Sequence, residues 1–146
     1  MTTAWKGLLV GGLLPALLFG VTGILQKAYS RAGGGAGWYL PLVGVGVAAT
    51  GLAALPLLGE RTLTARAGAV ALGIGVSWGL GMIAVVLGLT RYGTPLAKLA
   101  PLYNLNTLVV VLLALALFAE SREVDVARLL AGAAFIVVGA GLVAKA

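Results

Sequence analysis

Five apolar runs of similar length are separated by short stretches that hold nearly all of the charge. The first is Gly7–Gln26. It is followed by "KAYSRAGGGAG", a predicted loop, because three consecutive glycines disfavour a helix. The second, Gly37–Leu58, opens on Trp38 and Tyr39, residue types that settle at membrane–water interfaces. "GERTLTAR" is the next predicted turn, and the third run, Ala67–Thr90, closes on "RYGTP". The fourth is Pro95–Ala119, with Pro95 in a first turn, where a missing backbone N–H costs nothing. "ESREVDVAR" then leads into the fifth, Val126–Ala144. Each run is close to the roughly 20 residues that a helix needs to cross the hydrocarbon of a bilayer. The period-two alternation of a membrane barrel is absent. The pattern predicts an all-α integral membrane protein: one transmembrane domain of five helices, multi-pass, expected in the cell (inner) membrane. No small-x-small cleavage site closes the first run, so it is expected to be retained.

Composition points the same way. The chain is 61% hydrophobic and 10% charged, against roughly 25% charged residues in a soluble domain. Its mean hydropathy is +1.11. That is too little charge to cover a surface facing water. The abundant glycine suits helices that approach closely in lipid.

The net charge of +6 does not point to nucleic acid, because the basic residues are scattered singly between apolar runs. They read as anchors that snorkel to headgroups. Neither cysteine nor histidine is present. Disulfides, thiolate or imidazole metal ligands and histidine proton relays are thereby excluded, and no cofactor or metal is expected.

With five spans the two ends of the chain lie on opposite sides of the membrane. Lys6, Arg61, Arg66, Arg122 and Arg128 share the side of the N-terminus; Lys27, Arg31, Arg91, Lys98 and Lys145 share the other. Orientation in a membrane follows an imbalance of Lys and Arg, and this chain has none. One explanation is chance balance, with orientation set by local detail or by a partner. The other is dual topology, in which the chain inserts both ways and pairs antiparallel, creating an inverted repeat. A faint internal echo accompanies this: "LLGERTLTARAGAVALGIGVSWGLG" resembles "LFAESREVDVARLLAGAAFIVVGAG". Membrane hairpins in general share that look.

Buried polarity concentrates in "PLYNLNT" of the fourth run. On a continuous helix at about 100° per residue, with Tyr103 at 0°, Thr107 falls at about 40°, Asn104 at about 100° and Asn106 at about −60°. These four residues would form one polar face. Either they hydrogen-bond across a helix interface or they line a solute path. Pro101 removes a donor and frees the carbonyl of Ala97. In the third run Ser77 and Trp78 lie near mid-depth, where an indole N–H needs a partner. In the first run Pro15 is a candidate kink, and Thr22 and Gln26, one turn apart, are expected to face one cavity. Lys98 lies inside the fourth run and reads as a snorkelling lysine or as a cation for an anionic group.

The stretch "GLTRYGTPLAKLAPLYNLNTLVVVLLALALFAESREVDVARLLAGAAFIVVGAGLV", with "LLFGVTGILQKAYSRAG" before it, resembles an EamA-type repeat of the drug/metabolite transporter superfamily. The shared features are a span ending in a short polar link, a span with a proline near its start, a turn that contains glutamate and a glycine-rich last span. Lys27 near the far end of the first span adds to the likeness. Most members of that superfamily carry two such repeats, inverted, in ten helices. The resemblance therefore implies one half of a ten-helix inverted-repeat fold, completed by an antiparallel homodimer or by a similar five-helix partner. It departs from the related small multidrug resistance proteins, which use a glutamate embedded in the first helix: here no span interior holds a carboxylate. Glu60 and Glu120 lie at span ends and read as turn residues.

The function expected is that of a small secondary transporter subunit, moving a small organic solute by alternating access without carboxylate-based proton coupling. Tyr103, Asn104, Asn106, Thr107, Trp78, Ser77, Thr22, Gln26 and Lys98 are its candidate solute-binding residues. The alternative is a membrane scaffold or a lipid-handling accessory subunit, in which the polar face of the fourth helix is closed against neighbours. An enzyme is not expected, since no constellation for acid–base or nucleophilic work is present.

Overall fold

A computed structural model describes residues 3–59, 62–118 and 124–145. Among these every regular element is helical: α1 (Thr3–Leu8), a π-helical turn (Leu9–Leu13), α2 (Leu14–Arg31), α3 (Ala36–Leu58), α4 (Ala65–Thr90), α5 (Leu96–Tyr103), α6 (Asn106–Leu117) and α7 (Val126–Lys145). They make five helices long and apolar enough to cross a membrane: Trp5–Arg31, Ala36–Leu58, Ala65–Thr90, Leu96–Leu117 and Val126–Lys145. The architecture is that of a multi-pass membrane protein. Glu60, Arg61, Ala119, Glu120, Arg122 and Glu123 lie outside the described residues.

The first span is longer than the apolar run that marks it. Helix α2 continues through Lys27, Tyr29 and Arg31, residues the sequence pattern assigns to a loop. Its end is set by a Schellman closure. Gly33 takes a φ of 78°, a left-handed conformation natural to glycine. The N–H of Gly34 then reaches the carbonyl of Tyr29 at 3.1 Å, and that of Gly33 reaches Ser30 at 3.3 Å. At the other end, Pro15 stands in the first turn of α2, directly after the π-helical turn. Proline lacks an N–H and its ring clashes with the carbonyl four residues back, here Gly11. One wider turn before it accommodates that clash.

Capping sets two further boundaries. The Thr64 hydroxyl accepts from the N–H of Ala67 at 3.1 Å, so α4 starts at Ala65 rather than at Ala67. The Asp125 carboxylate accepts from the N–H of Arg128 at 3.1 Å and pairs with the Arg128 guanidinium at 3.0 Å. A carboxylate at this end of α7 also favours the helix dipole.

Packing divides the chain into two compact units, Met1–Gly93 and Thr94–Ala146. In the first, α4 packs on both α3 and α2. Its buried face carries Gly79, Val86 and Leu89, an i, i+7, i+10 helical stripe. Gly79 belongs there because α3 comes close: a Cβ at this position would lie 3.3 Å from Leu40 Cδ2. In the second unit α5 packs on α7, which buries Ala133 and Ala140. Small residues let helices approach closely in lipid, where packing rather than expulsion of water drives association.

Among the described residues the buried apolar set is only Tyr39, Val86, Leu89, Ala133 and Ala140. Large apolar side chains such as Leu57, Leu72 and Phe135 stand outward, as suits helices whose solvent is hydrocarbon.

Candidate functional site

The fourth span is not one continuous helix. Helix α5 ends at Tyr103, Asn104 and Leu105 form a turn, and α6 starts at Asn106. The hydrogen bonds across the turn close over three residues instead of four. Leu105 N–H donates to Leu102 at 3.1 Å, Thr107 N–H to Asn104 at 3.1 Å and Leu108 N–H to Leu105 at 3.0 Å. This tightened 3₁₀ geometry brings side chains three apart into line. Tyr103 closes α5, Asn104 lies in the turn, and Asn106 and Thr107 open α6. Pro101, inside α5, removes the donor that the Ala97 carbonyl would otherwise meet.

Asn104 is about 12 Å along this span from Leu96, at 1.5 Å per residue. Asn104, Asn106 and Thr107 are exposed in the single chain, and Tyr103 is half-buried. The Thr107 hydroxyl lies 3.4 Å from the Asn106 side-chain carbonyl. Beyond the break, an open groove of about 270 Å³ runs between α6 and α7, past Thr107, Val111, Leu129, Ala133 and Ile136, with Arg128 at its edge. Lys98 is half-buried on α5.

In the first unit, Thr22 and Gln26 part company. A second open groove, of about 710 Å³, lies between α2 and α3 and is lined by Thr22, Leu25, Gly46, Val47, Thr50 and Gly51. The hydroxyls of Thr22 and Thr50 bond back to their own helices, at Leu18 (3.0 Å) and Gly46 (2.9 Å). Each hydroxyl oxygen keeps its capacity to accept a hydrogen bond. Gln26 instead turns towards α4 and is only 4% exposed. Its amide N–H donates to the sulfur of Met82 at 3.7 Å, and its carbonyl oxygen has no partner. Successive i, i+4 positions differ by about 40° around a helix, enough for the two residues to serve different faces.

Ser77 and Trp78 lie on an outward face of α4, and Trp78 is 44% exposed. Tyr39, expected at an interface beside Trp38, is turned inward. Its ring meets that of Tyr29 edge-on at 5.3 Å between centroids, while Trp38 stands outward. The Tyr29 hydroxyl donates to the carbonyl of Gly35 at 2.7 Å, tying the end of α2 to the start of α3.

Thr50, Met82 and Tyr29 are absent from the residues that the sequence singles out, and Tyr39 is read there only as an interfacial aromatic. Thr50 had a signal, a lone hydroxyl within an apolar run. Met82 had none, since a methionine in an apolar span marks nothing by itself. Tyr29 falls in a string read as a loop.

Comparison with family models, with curated proteins and with solved structures gives no match for this chain. The functional reading therefore rests on the residues and their geometry.

Proposed function

We propose that the chain is the subunit of a small secondary transporter that moves a small organic solute across the cell (inner) membrane by alternating access. Two copies in opposite orientation, or one copy and a similar five-helix chain, would complete it as a half-and-half inverted repeat.

The observation that carries this reading is the break between α5 and α6. Irregular backbone at membrane depth is tolerated only where protein buries it or where it lines a water-filled cavity, because each unsatisfied polar group in hydrocarbon costs several kcal/mol. Here the break coincides with two asparagine amides and a threonine hydroxyl that the chain itself leaves exposed. Discontinuous helices of this kind form solute sites in secondary transporters. Three further features support the reading. The five-against-five distribution of Lys and Arg suits insertion in both orientations. The resemblance to EamA-type repeats implies the same pairing. The sparse interior of the single chain leaves broad helix faces for a second copy.

With no carboxylate in a span interior, facilitated diffusion or exchange is favoured over proton-coupled uptake through an acid. The scaffold reading has one feature in its favour: asparagine and threonine also join helices, at about 0.6 kcal/mol per interhelical hydrogen bond on average. Proteoliposomes loaded with a mixture of small metabolites separate the two. Transport predicts that some solutes leave protein-containing vesicles faster than protein-free ones and that Asn104→Leu/Asn106→Leu slows this at least tenfold. Equal release from both kinds of vesicle across the mixture would contradict it.

A further inference from the structure

The amide of Gln26 is unexplained by packing. It is 4% exposed, on the side of α2 that meets α4 at Met82. The thioether it meets is a weak acceptor, and its carbonyl meets nothing. Exchanging the nitrogen and oxygen of the amide would only move the deficit to the other end, since amide orientation is assigned from partners. A leucine or methionine here would leave no polar group unpaired, and a buried unsatisfied polar group costs about 1–3 kcal/mol. A group that destabilises the closed seam between α2 and α4 by its chemistry favours the state in which the seam is open.

We infer that the α2–α4 seam parts during the working cycle and uncovers the Gln26 amide to water and to a polar solute; the inference rests on the transport reading. Once uncovered, the amide offers a carbonyl acceptor and two N–H donors. That set suits a neutral or zwitterionic solute bearing hydroxyl, amide or amino groups. Gln26 is five residues before the end of α2 at Arg31, about 7.5 Å at 1.5 Å per residue. The opening therefore meets the membrane face that carries Lys27 and Arg31. Helix α2 packs less extensively on α4 than α3 does.

The chain has no cysteine, so a single introduced thiol reports cleanly. Met82→Cys is placed in lipid nanodiscs, where both membrane faces meet the buffer, and treated with a charged methanethiosulfonate reagent that reacts only with thiols reached by water. The inference expects measurable modification of Met82→Cys. Adding Gln26→Leu should slow it at least tenfold, and Gln26→Leu alone should leave the melting temperature unchanged or raised. Gln26→Met serves as a second variant of nearly the same shape should the leucine variant not fold. Protection of Met82→Cys, equal rates with and without the amide, or a melting temperature lowered by several degrees in both Gln26 variants would overturn the inference. Amide-dependent labelling in a protein that moves no solute would count against transport and leave the seam standing. Flux with a protected Met82→Cys would count against the seam alone.

Discussion

At the scale of single residues, the junction of α2 and α3 is held by two glycines and two tyrosines. Gly33 supplies the left-handed backbone. Gly34 supplies room: a Cβ there would overlap the ring of Tyr29. That ring cannot move freely, because its hydroxyl holds Gly35 and its edge meets Tyr39. Gly34→Ala should therefore destabilise the folded protein by roughly 1–3 kcal/mol, the usual cost of overpacking a well-filled site. Tyr29→Phe, which keeps the ring and loses the hydroxyl, should cost about 1 kcal/mol. Thermal unfolding in detergent measures both; a Gly34→Ala protein as stable as the native one would show that the loop is not held this way. Three adjacent glycines signal a loop in the sequence. Their separate duties, φ at one and clearance at the next, depend on a tyrosine ring that no local pattern places.

At the scale of elements, the five spans were legible because crossing hydrocarbon demands about 20 apolar residues, and few sequences hide that. The ends were less so. Charge marks the end of the first apolar run, yet α2 carries Lys27 and Arg31 within its last turns, since long basic side chains can snorkel while their backbone stays helical. The start of α4 depends on the Thr64 cap, and Thr64→Ala should destabilise by about 1 kcal/mol, read from the same unfolding curves. The break in the fourth span is the element that hydropathy cannot show, because hydropathy counts side chains and the break is a property of backbone hydrogen bonds. Pro101 is the visible cue. Pro101→Ala restores a donor for the Ala97 carbonyl, and a proline in a helix interior costs about 3 kcal/mol. The variant should melt at a higher temperature, and the circular-dichroism helix signal should rise. No gain in either would assign the break to the asparagines instead of the proline.

At the scale of the whole molecule, the polar residues of the candidate site could be named from sequence, but their neighbours could not. Thr22 and Gln26 share a helix and serve different faces. The polar residues near the break are divided between α5, the turn and α6 instead of belonging to one unbroken helix. Pairing is where the charge pattern makes its own prediction. Reporters active on only one side of the membrane, fused to the C-terminus, should both give signal if the chain inserts both ways. Signal from one side only would rule out an antiparallel homodimer and leave pairing with a different five-helix chain. The central claim, that the α5–α6 break faces a solute path and not lipid or a closed interface, is tested most directly by water access at the break. Single cysteines at 104, 106, 109 and 112, introduced one at a time into this cysteine-free chain in lipid nanodiscs, are treated with a charged thiol reagent. Fast modification is expected at Asn104→Cys and Asn106→Cys, and at least tenfold slower modification at Val109→Cys and Leu112→Cys, which turn away from Thr107 on α6. Protection at all four positions, or equal reactivity throughout, would contradict the claim.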